Sequence, residues 1–107
     1  DVAYHRLPVT TVSVGGGLGY GALGYSHHAV QDYSLMRCMP NMTIAAPGDP
    51  EEVASCLRTL IENPGPSYLR LGKVGESSCR PETLPAITDG DWVPIYKGSG
   101  NKKVILV

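Results

Sequence analysis

"MTIAAPGDPEEVASCLRTLIENPGPSYLRLG", residues 42–72, decides the fold, because it switches period twice within thirty residues. Met42 to Ala45 is a short apolar run that reads as a strand. Asp49 then offers a side-chain acceptor to the first free amides of a helix, Pro50 suits its first turn, and Glu51 and Glu52 complement the positive end of its dipole. Val53, Cys56, Leu57, Leu60 and Ile61 recur at helical spacing on one side, until Asn63-Pro64-Gly65-Pro66 ends the run. "SYLRLG", residues 67–72, reads as a further strand. Two strands separated by a helix with short connections predict a parallel pair with a right-handed crossover.

The residues ahead repeat the pattern. Val9-Thr10-Thr11-Val12-Ser13-Val14 is a β-branched run that stops at three glycines, Gly15 to Gly17, so a strand enters a loop that continues to about Ser26. From His28 onward Val30, Tyr33, Leu35, Met36 and Met39 fall near one helical face, and Pro40 stops them. Strand, helix, strand, helix, strand predicts an α/β chain forming part of a doubly wound parallel sheet.

Downstream of Gly72 the apolar residues lose their period, which predicts an extended connector and then a hairpin turning at Gly98-Ser99-Gly100. Val104 to Val107 is apolar at every position, as in strands covered on both faces of a parallel sheet. That strand lacks neighbours within the sequence, and the first strand has no element ahead of it. The expectation is therefore a piece of a larger protein, truncated at both ends: residues 1–75 in one domain, 76–102 as connector, 103–107 opening another domain.

A chain of 107 residues with net charge -1 and 18% charged residues carries no basic footprint for nucleic acid or for an acidic membrane surface. No run approaches the roughly 20 apolar residues of a membrane helix, and no signal-peptide pattern opens the chain. Cys38, Cys56 and Cys79 have no C-x-x-C spacing, so neither a disulfide framework nor a zinc site is expected; buried thiols in a reducing, cytoplasmic setting are. Met36, Met39 and Met42 read as core filler, and Tyr33 as a core residue. Asp32 and Arg37 read as helix surface or a local salt bridge.

Chemistry concentrates in "GYGALGYSHHAVQDY", residues 19–33. Gly19, Gly21 and Gly24 match G-x-G-x-x-G, but the glycines neither sit directly at the strand end nor open a helix, and no acidic residue closes a second strand about twenty residues on. His27 and His28 are adjacent and point in different directions in any regular structure, so they are not a chelating pair. Two readings stand: a helix-entry loop in which Ser26 caps and the histidines are surface groups, or an active-site loop at the carboxyl end of a parallel strand. There a neutral imidazole can bind substrate hydroxyls or move a proton near pH 7.

The stretch from Gly19 to Val53 also resembles the pyrimidine-binding domain of transketolase-like thiamine-diphosphate enzymes. Their pattern is G-P-T-H-x-x-x-E-D-x-A-x-x-R-x-x-P-N-x-x-V-x-x-P-x-D-x-x-E. Gly24, Ser26, His27, Asp32, Arg37, Pro40, Asn41, Pro47, Asp49 and Glu52 fall on it in order, and "PSYLRLGK", residues 66–73, is similar to the family's closing strand. The resemblance covers about residues 1–75.

What it implies is a transferase that moves a two-carbon ketol unit between sugars, using thiamine diphosphate and magnesium held by another domain, across a homodimer interface or on a partner subunit. His27 matches the histidine that faces the reactive ring, as the catalytic residue; His28, Ser26 and Lys73 would contact a sugar or sugar phosphate. The cofactor's diphosphate and metal ligands have no counterpart in this sequence, so the chain alone is expected to bind neither.

Departures bear on the substrate. Tyr25, Ser26 and Gln31 replace the usual Pro, Thr and Glu. The phosphate-binding histidine expected near Gly15 to Gly17 is missing, and Lys73 stands where an arginine is usual, with less geometric recognition of phosphate. "YSHHAV", residues 25–30, looks like split, two-subunit transketolases. 1-Deoxyxylulose-5-phosphate synthase typically has glycine at Ala29, and the beta subunits of 2-oxoacid dehydrogenases have P-G at Pro40-Asn41. A non-catalytic assembly module is the alternative from another class.

Overall fold

The computed structural model describes residues 1–79 and Gly100. Three strands, β1 (Thr10–Val14), β2 (Thr43–Ala45) and β3 (Ser67–Leu71), alternate with two helices, α1 (Asp32–Arg37) and α2 (Pro50–Glu62). All pairings are parallel, in the order β1-β3-β2. From β1 to β2 the chain steps two places across the sheet, and from β2 to β3 it steps one place back. With right-handed crossovers, that reversal puts α1 and α2 on opposite faces, which makes the sheet doubly wound, as expected.

β3 is central, and Ser67, Tyr68 and Leu69 are buried while most of β1 is exposed. The register sets Thr11 beside Tyr68 and Ser13 beside Arg70 on one face, and Val12 beside Leu69 on the other. Among the described residues β1 and β2 are both edges of the sheet. No described helix is long and apolar enough to cross a membrane.

α2 starts where its cap predicts. Asp49 is extended and 2% exposed, and its Oδ1 accepts the Glu52 amide at 2.8 Å. Its Oδ2 accepts the Cys79 amide at 3.0 Å, tying the following segment to the helix start. Asp49→Ala removes both bonds, and a loss of about 1–2 kcal/mol is expected from denaturant unfolding of the full-length protein. Asp49→Asn, which keeps one of the two acceptor oxygens, should lose less.

Several expectations need correction. The helix expected from His28 begins at Asp32, because the Ala29 amide and carbonyl pair with Gly17 and hold residues 28–31 away from helical geometry. Ser26 is accordingly no helix cap. Ser55, not the apolar stripe, is the most buried position of α2, and Ile61 is 69% exposed. Cys38 and Cys79 are exposed rather than buried. The methionines do not fill a core: Met36, Met39 and Met42 line a groove of about 490 Å³ at the amino end of the sheet, beside the N-terminal turn. The predicted hairpin and final strand lie outside the described residues.

Candidate active site

Parallel strands direct their carboxyl ends to one edge, and each of these three is followed by a glycine: Gly16 after β1, Gly48 after β2 and Gly72 after β3. Together with Tyr33, Arg70 and Glu76 they line a cavity of about 220 Å³. A cleft there is where open α/β sheets take ligands.

Residues 17–29 form an Ω-type loop over this edge. Its base is closed by two bonds, Gly17 N–H to the Ala29 carbonyl and Ala29 N–H to the Gly17 carbonyl, each 2.9 Å. Inside it two short 3₁₀ turns, Gly21–Leu23 and Tyr25–His27, use the loop's own amides. Arg70 fastens the base to the central strand. Its Nη2 donates to the Ala29 carbonyl at 3.0 Å, so that oxygen accepts from both Gly17 and Arg70.

Arg70 is the one charged residue of β3, and its partners explain how a mostly buried strand tolerates it. Its Nε lies 3.2 Å from Asp32 Oδ2, with side-chain exposures of 15% and 12%. Its guanidinium carbon stands 4.1 Å from the centre of the Tyr33 ring. Tyr68 O–H donates to Asp32 Oδ2 at 2.8 Å and also bonds the Ser13 hydroxyl. Burial pushes the Tyr68 phenol up; the Ser13 hydroxyl offsets part of this, and Asp32 adds to it, which keeps the phenol neutral as a donor. Asp32 is thus no surface group, and its ion pair runs to Arg70 across 38 residues, not within α1.

The glycine run now has a physical reason. At Gly15, with φ +83°, a Cβ would stand inside the Tyr20 ring, and at Gly16 it would overlap the Arg70 guanidinium. The bare backbone of each receives one side chain.

His27 is exposed, within the 17–29 loop and not among the cavity-lining residues. Its Nδ1 shares a hydrogen bond of 3.0 Å with Ser26 Oγ, which orients the ring and leaves Nε2 for another partner. The Tyr20 ring meets it edge to face, centroids 6.2 Å apart. Lys73 Nζ lies 6.0 Å from the centre of the same Tyr20 ring. His27 and Lys73, separated by 46 positions, therefore converge on one aromatic side chain. His28 is directed elsewhere: its Nε2–H donates to the Gly21 carbonyl at 3.1 Å and braces the loop. Burial, with the Glu52 carboxylate adding to it, pushes the Cys56 thiol up, so it is no nucleophile at neutral pH.

Spacing along the sequence assigns no role to two residues of this site, Tyr20 and Arg70. Their signals were three consecutive glycines, more than a turn needs, and a lone charge in an otherwise uncharged strand.

Thiamine diphosphate would need an anchor for a diphosphate and its metal. Among the described residues no three His, Cys, Asp or Glu side chains gather to hold a metal ion. Among the described residues the buried side-chain polar atoms without a hydrogen-bond partner are Asp32 Oδ1 and Arg70 Nε, and these two residues already form an ion pair. These residues do not fit the diphosphate end of the cofactor.

Residues 1–74 match the family model described as transketolase, pyrimidine binding domain. Among curated relatives, one subunit of the apulose-4-phosphate transketolase of Phocaeicola vulgatus is 37% identical over 94% of this chain and 30% of its own length. The 1-deoxy-D-xylulose-5-phosphate synthase of Synechococcus sp. is 38% identical over 94% of this chain and 14% of its own, and that of Clostridium botulinum is 34% identical over 100% and 17%. A solved structure of a split gene transketolase, an inactive beta4 tetramer, superposes with a TM-score of 0.62 at 29% identity, over 77% of this chain and 25% of that one. The chain thus spans less than a third of the length of these relatives. The doubly wound sheet and the matched residues together place it in the family of transketolase pyrimidine-binding domains, whose members are thiamine-diphosphate-dependent.

Proposed function

We propose that this chain is part of a transferase that moves a two-carbon ketol unit from a ketose to an aldose, and that it works with a second polypeptide surface carrying the cofactor diphosphate and magnesium. The observation that carries this reading is the convergence of His27 and Lys73 on Tyr20 at the carboxyl edge of the sheet. In the transfer, the C2–C3 bond of the ketose breaks and C3 becomes the aldehyde of a sugar two carbons shorter. A new C–C bond then forms to the carbonyl carbon of the acceptor aldose, whose oxygen gains a proton. Bound thiamine diphosphate supplies the carbanion stabilisation that this exchange needs.

This chain's own part is binding and proton movement. His27 Nε2 takes the proton from the donor's C3 hydroxyl and later returns one to the acceptor's oxygen. Ser26 holds the ring in place, Lys73 meets a terminal hydroxyl or phosphate, and His28 shapes the entrance by fixing Gly21. Two relatives support dependence on a partner: the apulose-4-phosphate transketolase chain is named as a subunit, and the split gene transketolase structure is described as an inactive beta4 tetramer.

The numerous 1-deoxyxylulose-5-phosphate synthases among the relatives favour a second reading, in which the two-carbon unit comes from a 2-oxoacid with loss of carbon dioxide. Full-length protein, assayed with and without its partner in the presence of thiamine diphosphate and magnesium, separates these. D-Xylulose 5-phosphate with D-ribose 5-phosphate should yield a seven-carbon ketose and a three-carbon aldose, only in the assembly. Pyruvate-dependent release of carbon dioxide instead would select the second reading, and no product from either donor would leave an assembly module.

A further inference from the structure

Tyr20 sits between two groups of the proposed site, and spacing along the sequence assigns it no role. Its ring edge lies against the backbone of Gly15, where only glycine leaves room, so its position is fixed by a second residue of this chain. Its main chain is held as well, since the Tyr20 carbonyl accepts the Leu23 amide at 3.0 Å and the flanking Gly21 amide donates to Leu18 at 2.8 Å. The phenol hydroxyl has no hydrogen-bond partner among the described residues, and the ring is half-exposed. His27 meets the ring at 6.2 Å, with planes at 68°, and the Lys73 ammonium stands 6.0 Å from its centre.

From this geometry we infer that Tyr20 is the substrate platform of the site, a specificity-determining residue that stacks on the C–H face of a polyhydroxylated carbon chain and hydrogen-bonds one of its hydroxyls. The inference rests on the sugar-transfer reading above and adds the residue that holds the sugar. An aromatic face is electron-rich and the C–H bonds of a sugar are weakly positive, so the two attract once water is displaced. An imidazole on one side, a phenol hydroxyl in the middle and an ammonium beyond supply polar partners along the length of such a chain. Lys73 is a weak competitor for the ring, because an exposed cation–π contact at this distance is readily given up. A sugar with a terminal phosphate would draw the ammonium from the ring and pair with it, whereas a neutral sugar would only displace it.

Kinetics of the full-length, cofactor-loaded assembly test this with D-ribose and D-ribose 5-phosphate as acceptors. Tyr20→Leu, which keeps bulk over Gly15 without a π face, should raise KM about tenfold for both acceptors with kcat within about threefold. Tyr20→Phe, which keeps the ring face and loses the hydroxyl, should raise KM about threefold, less than Tyr20→Leu. A KM unchanged in Tyr20→Leu, or a fall in kcat alone, overturns the platform. Saturation-transfer NMR on the same assembly supplies a readout independent of turnover. Irradiating aromatic protons should pass signal to the C–H protons of D-ribose in the parent and in His27→Ala, and lose it in Tyr20→Leu. Transfer without turnover keeps the platform and ends the transferase reading; turnover with transfer indifferent to Tyr20→Leu does the opposite. Absence of both transfer and turnover in the parent overturns both.

Discussion

Replacing His27 with alanine in the assembled enzyme is expected to lower kcat by about 10²–10⁴-fold, the usual contribution of a positioned proton-transfer group. The loss should come without a comparable loss of fold. His27 is exposed, and its described side-chain contacts are one hydrogen bond to Ser26 and the edge of Tyr20, so a stability change within about 0.5 kcal/mol is expected. His27→Gln keeps a hydrogen-bonding side chain but has no ionisable nitrogen, and it should be as slow as alanine. Turnover and the thermal midpoint, measured on the same preparations, check this pairing. A kcat within threefold of the parent would return His27 to a surface role in a loop.

The second large effect falls on stability. Arg70→Ala leaves the Asp32 carboxylate 12% exposed without its cation, and the Tyr33 face and the Ala29 carbonyl each lose a partner. Stranding one member of a mostly buried ion pair costs about 3–5 kcal/mol, which should appear as a shift of the denaturant midpoint at constant slope. Asp32→Leu combined with Arg70→Met removes both charges and should recover most of that loss, since the penalty is the unpaired charge and not the missing attraction. In both variants the loop base loses one of its fastenings, so amide exchange at Gly17 and Ala29 should quicken. A double variant as unstable as Arg70→Ala would show that the guanidinium acts mainly through its packing on Gly16 and Tyr33.

The fold was legible where local chemistry is strong. Asp49, Pro50 and the two glutamates define the start of α2 to the residue, and "SYLRL" is β3. α1 was not legible at its start, because a long-range pair between Gly17 and Ala29 overrides the helical spacing that runs from His28. The candidate site divides the same way. Ser26 and His27 stand on positions that the family pattern marks, His28 follows the marked histidine, and Lys73 stands where the family usually has an arginine. Tyr20 and Arg70 act through space, the first against Gly15 and the second against Ala29 and Asp32, and spacing along a chain does not encode which side chain fills the room above a glycine. The thiols show the reverse error: a type that is commonly buried lies exposed at Cys38 and Cys79, as composition is silent on where a residue ends up.

The strand order has a consequence for biosynthesis. β1 and β2 do not touch each other, and β3, the last of the three to leave the ribosome, inserts between them. Vectorial synthesis therefore delivers two strands and the whole histidine loop before any backbone ladder can form within these elements, and the arginine that anchors the loop arrives 41 residues after the carbonyl it grips. Such long closures are slow to form. A nascent chain stalled just short of Ser67 would carry the histidine loop without the central strand whose arginine anchors it.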